Sequence, residues 1–371
     1  MIYIVITFLS ILLALPSKKI YSFNGIRDNK RSFLFLLPML PFLFITIFRY
    51  NVGTDYMQYV TNYYSYGISE NGFEYIFQFI INIAHYYKEP HVIVMLLGII
   101  FCCFIFLAIY KYSENIKFSI LLLFLTGFFF MSLTMMRQAA ATAIFLFSLG
   151  YLIKRKYIKC ILLNICTGMI HSSALIYVLF IITYIILDKF ILKSKLINLK
   201  GIIIISICIF FSSFFIRSFL EFVTASLNIY SGYFGSDQDS GVSSGTHFLF
   251  GFTPFITAII TYQNKKLYLK NSTEEDIRVF NLYMTLQWLG FLFSLLMTII
   301  PNGERLIFLF MPTIIISAPF FLNRTSNRYR MLSKLFLISS FIVSMGYYFY
   351  VRKSLDMFPY HFIFNKWHWF I

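Results

Sequence analysis

Apolar runs of roughly 15 to 20 residues, separated by short polar or basic breaks, recur along the whole chain. Runs of that length can cross about 30 Å of hydrocarbon, with flanking aromatic and basic residues reaching the interfaces. Crossings are predicted near 2–16, 33–48, 91–110, 118–132, 136–153, 158–170, 172–187, 201–220, 248–263, 279–299, 305–322 and 335–351. About twelve transmembrane helices make an all-α polytopic membrane protein, one transmembrane domain over residues 1–371, with both termini on one side. The first sixteen residues lack a positive leader region and a small-residue cleavage site, so they read as a retained first helix.

Two segments depart from simple spans. Residues 73–87 form an apolar helix of about 22 Å that carries Glu74, Gln78, Asn82 and His85 along one side, the pattern of an interfacial or re-entrant helix on the outer face. Residues 158–187 must rise and return if the basic loop 188–200 is to be cytoplasmic, yet the first leg reaches only about 20 Å. The turn Gly168 to Ser173 would then sit below the outer surface. One tilted helix of about 45 Å is the alternative; it flips every later loop and places three basic clusters outside. No internal repeat is evident. The segment 221–247 is predicted as an outer loop, Ser/Gly/Asp-rich over Tyr230 to Gly245, and 352–371 as an aromatic outer tail.

Composition agrees with a membrane protein: 59% of residues are hydrophobic, 21% aromatic and only 12% charged. A net charge of +16 in a soluble chain would point to nucleic acid. Here 23 of the 31 Lys and Arg fall in the short loops 17–32, 111–117, 154–159, 188–200, 264–278 and 323–334, and 8 on the other face. That asymmetry is an orientation signal, so those loops are expected to be cytoplasmic, both termini outside, and no nucleic acid is bound. The five cysteines lie in or beside apolar runs without metal-ligand spacing, so neither a disulfide nor a metal site is indicated, and no cofactor. Asp237 and Asp239 match a metal-binding Asp-x-Asp pattern only within a flexible acidic loop, and read as solvated.

This threading puts Arg49, Asp55, Arg137, His171, Glu304 and Arg305 at or just inside the outer edge of the membrane, where ionisable groups are costly and mark a substrate site or ion path. Arg49 ends the second span and Asp55 follows a Gly53 turn; the pair fits a phosphate-holding guanidinium with an orienting acid or base, or an interfacial arginine beside a solvated acid. Tyr56, Tyr59 and their neighbouring tyrosines can stack on sugar faces or form an interfacial belt. Arg137 and Gln138 open a helix continued by small residues, a setting for an anion at the positive end of the helix dipole or for a helix-end charge snorkelling to the interface. His171, followed by Ser172 and Ser173 in a broken helix, suits a base near neutral pH or a hydrogen-bonded core histidine. Glu304 complements a helix start, whereas Arg305 opposes that dipole and needs another reason to be there, of which a phosphate is one.

Three stretches carry a resemblance to a known family: Phe48 to Tyr59 (FRYNVGTDYMQY), Met136-Arg137-Gln138 with its alanines and Leu152 to Lys156, and Met169 to Ala174 (MIHSSA). They resemble the EpsG-like branch of Wzy-type polymerases that assemble bacterial capsule, exopolysaccharide or O-antigen chains. Beyond residue 200 only Arg305 in its outer turn is comparable. The resemblance implies a membrane-embedded glycosyltransferase of the cytoplasmic (inner) membrane. It implies a polyprenyl-diphosphate-linked oligosaccharide as donor and a second as acceptor, delivered by a flippase and joined at the outer leaflet by metal-independent inverting transfer; a chain-length regulator is a further partner to consider. The leaving lipid diphosphate calls for guanidiniums, Arg137, Arg305 and Arg49, and the attacking hydroxyl for a base, His171, Asp55 or Glu304; Gln138, Tyr56 and Tyr59 are expected to contact substrate. A transporter of lipid-linked oligosaccharide, or a membrane glycosyl- or O-acyltransferase acting on the same polymer, is the alternative.

Overall fold

A computed structural model describes residues 1–14, 35–66, 73–192, 197–209, 273–296, 304–350 and 356–364, with a few positions between 252 and 259. The regular elements among these residues are helices, with isolated bridge positions that include the antiparallel pair Arg49 and Phe362. The chain divides into two compact units, one of Met1–Ile186 with Phe349–Ile371 and one of Leu187–Tyr348. The predicted loop 221–247 and the Asp237-to-Asp239 pattern lie outside the described residues.

In the first unit the chain runs through α1 (Ile2–Leu13), α2 (Leu36–Ile47), α3 (Tyr56–Ser65), α4 (Tyr75–Tyr86), α5 (His91–Tyr112), α6 (Ile116–Leu125), α7 (Phe128–Thr134), α8 (Met136–Ile153), α9 (Tyr157–Gly168), a 3-10 turn (Ser172–Leu175) and α10 (Ile176–Ile186). α5 and α8 form its central pair. α5 is apolar all round, as a helix buried among others or crossing a membrane must be. The small residues Ala139, Ala140, Ala141 and Ala143 of α8 are buried, which lets neighbouring backbones approach closely. Gly98 of α5 does the same for α2, since a Cβ there would strike the Thr46 side chain.

The second unit comprises α11 (Leu199–Ile209), α12 (Glu274–Leu296), α13 (Glu304–Phe310), a 3-10 turn (Met311–Thr313), α14 (Ile314–Asn323) and most of α15 (Asn327–Tyr350). Thr273 and Asp276 close a reciprocal cap at the start of α12: the Asp276 N–H donates to Thr273 Oγ1 at 3.2 Å, and the Thr273 N–H to Asp276 Oδ2 at 2.9 Å. Fully buried Gln287 donates to Thr313 Oγ1 and to Ser317 Oγ (2.9 Å), pinning the break between α13 and α14 onto α12.

Five described helices are long and apolar enough to cross a membrane: His91–Tyr112, Met136–Ile153, Ser172–Phe190, Glu274–Leu296 and Arg305–Asn323. A sixth is α6 with α7, bent by 53° at Gly127, whose φ of +73° suits a residue without a Cβ. The chain is therefore a multi-pass membrane protein, with five or six spans among the described residues where the sequence predicts about twelve. The predicted spans 2–16 and 33–48 appear as helices of 12 residues each, and most of 248–263 lies outside the described residues. Residues 158–187 are not one continuous helix: the chain breaks after Gly168, and α9 and α10 touch across the break.

Candidate functional site

The turn between α2 and α3 is built on two left-handed residues, Asn51 (φ +49°) and Gly53 (φ +95°). Gly53 is required twice over, because a Cβ at that position would also collide with the Leu133 carbonyl. Under this turn lies Arg49, 0% exposed. Its Nη1 donates to Val52 O (3.1 Å) and to Leu133 O, and Nη2 contacts Met136 Sδ at 2.8 Å. Leu133 O is one of the terminal carbonyls of α7 that the helix itself leaves unpaired, and a cation there also complements the helix dipole. Burial pulls the Arg49 pKa down to about 10, opposed by the nearby Tyr56 and Tyr3, so the group stays cationic at neutral pH. Arg49 thus caps α7 and sets where α8 begins.

The segment 356–364 closes this turn from outside. The Gly53 N–H donates to Asp356 O (3.0 Å), the Tyr50 N–H to His361 O (2.8 Å) and the Ile363 N–H to Phe48 O (2.8 Å). Tyr3 and Tyr360 add hydroxyl bonds to Met357 O and Ile45 O. The expected aromatic tail is therefore a strap over the Arg49 turn for as far as it is described.

A second cluster gathers where the starts of α4 and α8 meet the end of α9. The Ile76 N–H, one of the unpaired donors of α4, bonds Met169 O at 2.9 Å. This brings Glu74, the residue before α4, against the break that holds His171. Glu74 Oε2 accepts from Arg137 Nη1 at 2.7 Å, while Oε1 accepts from the Ser172 N–H at 2.8 Å and lies 3.7 Å from His171 Nδ1. The Arg137 guanidinium also sits over the Phe77 ring at 4.5 Å. The backbone N–H of Arg137, in the first turn of α8, donates to the Tyr59 hydroxyl at 3.4 Å. Burial alone would raise the Glu74 pKa; the His171 imidazole, the Ser172 N–H and Arg137 outweigh it and hold the carboxyl down at about 2. The side chains of Arg137, His171 and Glu74 are 23%, 22% and 17% exposed, enough for a ligand to reach them.

Beneath them is a core of Tyr56, Tyr59, Phe77, Ile80, Ile81, Met136 and Ile170 with residues of α5. Tyr56 and Tyr59, three residues apart, serve different neighbours. Tyr56 (2% exposed) donates to His91 Nδ1 at 3.0 Å, because His91 Nε2 gives its proton to Ile47 O at 2.7 Å. Tyr59 (4% exposed) meets Arg137.

Of the residues singled out in the sequence, Arg137, His171 and Tyr59 come together. Asp55 stands half-buried at the start of α3, accepting from Thr54 Oγ1 at 3.2 Å, and Gln138 is buried beside Arg137 in α8. Arg305 is exposed in the first turn of α13, in the second unit; the Glu304 side chain lies outside the described residues. Glu74 appears in the sequence as one of four polar positions on an amphipathic helix. What would have marked it is that it is an acid directly ahead of an apolar helix. Among the described residues, no group of three or more His, Cys, Asp and Glu side chains could hold a metal ion.

A multi-pass helical membrane protein with a guanidinium, a carboxylate and an imidazole assembled at a junction of helix ends is the class this architecture defines. The chain belongs to the EpsG family, whose model matches residues 32–362, and so to membrane proteins of polysaccharide biosynthesis. Neither the curated proteins nor the solved structures contain a match.

Proposed function

We propose that this protein is a repeat-unit polymerase. It joins polyprenyl-diphosphate-linked oligosaccharides at the outer face of the cytoplasmic membrane by inverting, metal-independent glycosyl transfer. The observation that carries the reading is the convergence of Arg137 and His171 on the Glu74 carboxylate from distant parts of the chain. A guanidinium with open donors suits a diphosphate, and an adjacent imidazole suits a hydroxyl that must lose a proton.

In this reaction the acceptor hydroxyl oxygen attacks the donor anomeric carbon from the face opposite the diphosphate. Its proton passes to His171, the carbon–oxygen bond to the diphosphate breaks, and the electron pair leaves on the diphosphate oxygen, where Arg137 neutralises the growing charge. Nδ1 of His171 faces Glu74, which leaves Nε2 for the acceptor. Asp55 remains a second candidate base by type. Arg49 serves by fixing the start of α8. The expectation that Arg305 contacts diphosphate rests on its sequence setting alone and is tested separately by Arg305→Ala.

Arg137→Ala is expected to lower polymer synthesis at least ~100-fold, the usual loss on removing a charge-stabilising donor, and Arg137→Lys to restore only part of it. The assay is glycan length from purified protein and two lipid-linked units. Normal polymer from either variant at wild-type abundance removes Arg137 from the reaction, and transport of the lipid-linked unit without lengthening favours a flippase.

A further inference from the structure

Glu74 touches both partners of the proposed reaction but uses a different oxygen for each. Oε2 is committed to Arg137 at 2.7 Å; Oε1 is held by the Ser172 N–H at 2.8 Å and stops 3.7 Å short of His171 Nδ1. That last separation is beyond hydrogen-bond range, and Nδ1 is buried without a hydrogen-bond partner. The imidazole is thus beside its carboxylate without a hydrogen bond to it, and shares that carboxylate with the guanidinium. The charged groups facing His171 are Glu74, from ahead of α4, and Arg137 of α8 across that carboxylate; no other ion pair among the described residues reaches it.

We propose that Glu74 is a positioning residue that links the two halves of the site: an anionic diphosphate arriving at Arg137 displaces the carboxylate, which then passes its charge to His171. The inference rests on the anion-binding role proposed for Arg137. Diphosphate carries more charge than a carboxylate and presents several acceptor oxygens, so it competes well for the planar fork of the guanidinium. Glu74 keeps its anchor on the Ser172 N–H and needs less than 1 Å of travel to bring Oε1 into hydrogen-bond range of Nδ1. An Nδ1–H donated to Glu74 fixes the tautomer and leaves Nε2 free to take the acceptor's proton, and the carboxylate stabilises the imidazolium as it forms. Proton acceptance is thereby tied to the presence of a donor. Before diphosphate binds, the base lacks that hydrogen bond.

The test uses the purified full chain with inorganic pyrophosphate as the probe. Binding is followed by calorimetry and the His171 protonation equilibrium by NMR of ¹³C-labelled histidine, its signal assigned with His171→Gln. Glu74→Gln is the informative variant, because its amide oxygen can still accept from Ser172. In the wild type, pyrophosphate should move His171 toward the imidazolium by about tenfold, the effect of a newly paired carboxylate. Glu74→Gln should bind pyrophosphate at least as tightly and lose most of that shift. An equal shift in Glu74→Gln means that the imidazole feels the anion directly; this overturns the linkage and leaves the anion site standing. Failure of pyrophosphate to bind, or undiminished binding by Arg137→Ala, overturns the anion role of Arg137 and the linkage with it.

Discussion

Replacing Arg49 separates a structural role from a substrate-binding one. In Arg49→Ala the carbonyls of Leu133 and Val52 lose a charged donor in a fully buried setting. Each orphaned carbonyl costs about 1–3 kcal/mol, and the space left by the side chain adds a cavity term. Relief of the guanidinium's own burial offsets part of this. A net loss of about 3 kcal/mol follows, which for a unit of about 200 residues lowers the unfolding midpoint by about 6–12 °C. Lysine keeps the charge on one nitrogen and cannot span two carbonyls and a sulfur, so Arg49→Lys should recover less than half of the loss. The assay is thermal unfolding of the detergent-purified protein, read by size-exclusion recovery alongside polymer synthesis. Arg49→Ala with a wild-type midpoint and no polymer would refute the capping role and make Arg49 a substrate contact.

Other outcomes follow from the same geometry. Gly53→Ala places a methyl group against the Leu133 carbonyl at a φ of +95° and should cost about 2 kcal/mol or more, seen as a lower midpoint and reduced activity. Deleting residues from 356 onward removes three backbone hydrogen bonds from the Arg49 turn and should destabilise the first unit and abolish polymer; retained activity in the truncated protein would show that the strap is dispensable. The Glu74 carboxyl is held below its usual 4.5, at about 2, so its stabilisation is fully present above about pH 4.5 and fades as the pH falls toward 2. The midpoint difference between wild type and Glu74→Gln should accordingly shrink as the pH falls from about 4.5 toward 3.

Local signals in the sequence located much of this. The apolar run that ends before Lys154 gives α8 its span, the Gly53 turn is legible from its setting, and the basic loop 188–200, with the short leg 158–170, favours a turn-back near His171 over one tilted helix. The chemistry was less accessible. Arg49 and Arg137 look alike in sequence, each beside an apolar run, yet one is sealed under a turn and the other is partly open. Only packing between distant segments decides that. Glu74 was hidden for the same reason: its role depends on α4 starting against the Met169 carbonyl, a contact across more than ninety positions that no local periodicity encodes. The tyrosines of α3 read as a belt or a stacking surface, whereas burial turns Tyr56 to His91 and Tyr59 to α8.

The strap of residues 356–364 also sets an order of events in biogenesis. Arg49 and its turn emerge from the ribosome some three hundred residues before the segment that completes them. Until then the Phe48, Tyr50 and Gly53 backbone groups must be satisfied by solvent or by another protein. A nascent chain that has not yet reached residue 356 therefore inserts with this corner unfinished, and the junction that aims Arg137 matures only once residues 356–364 have been made.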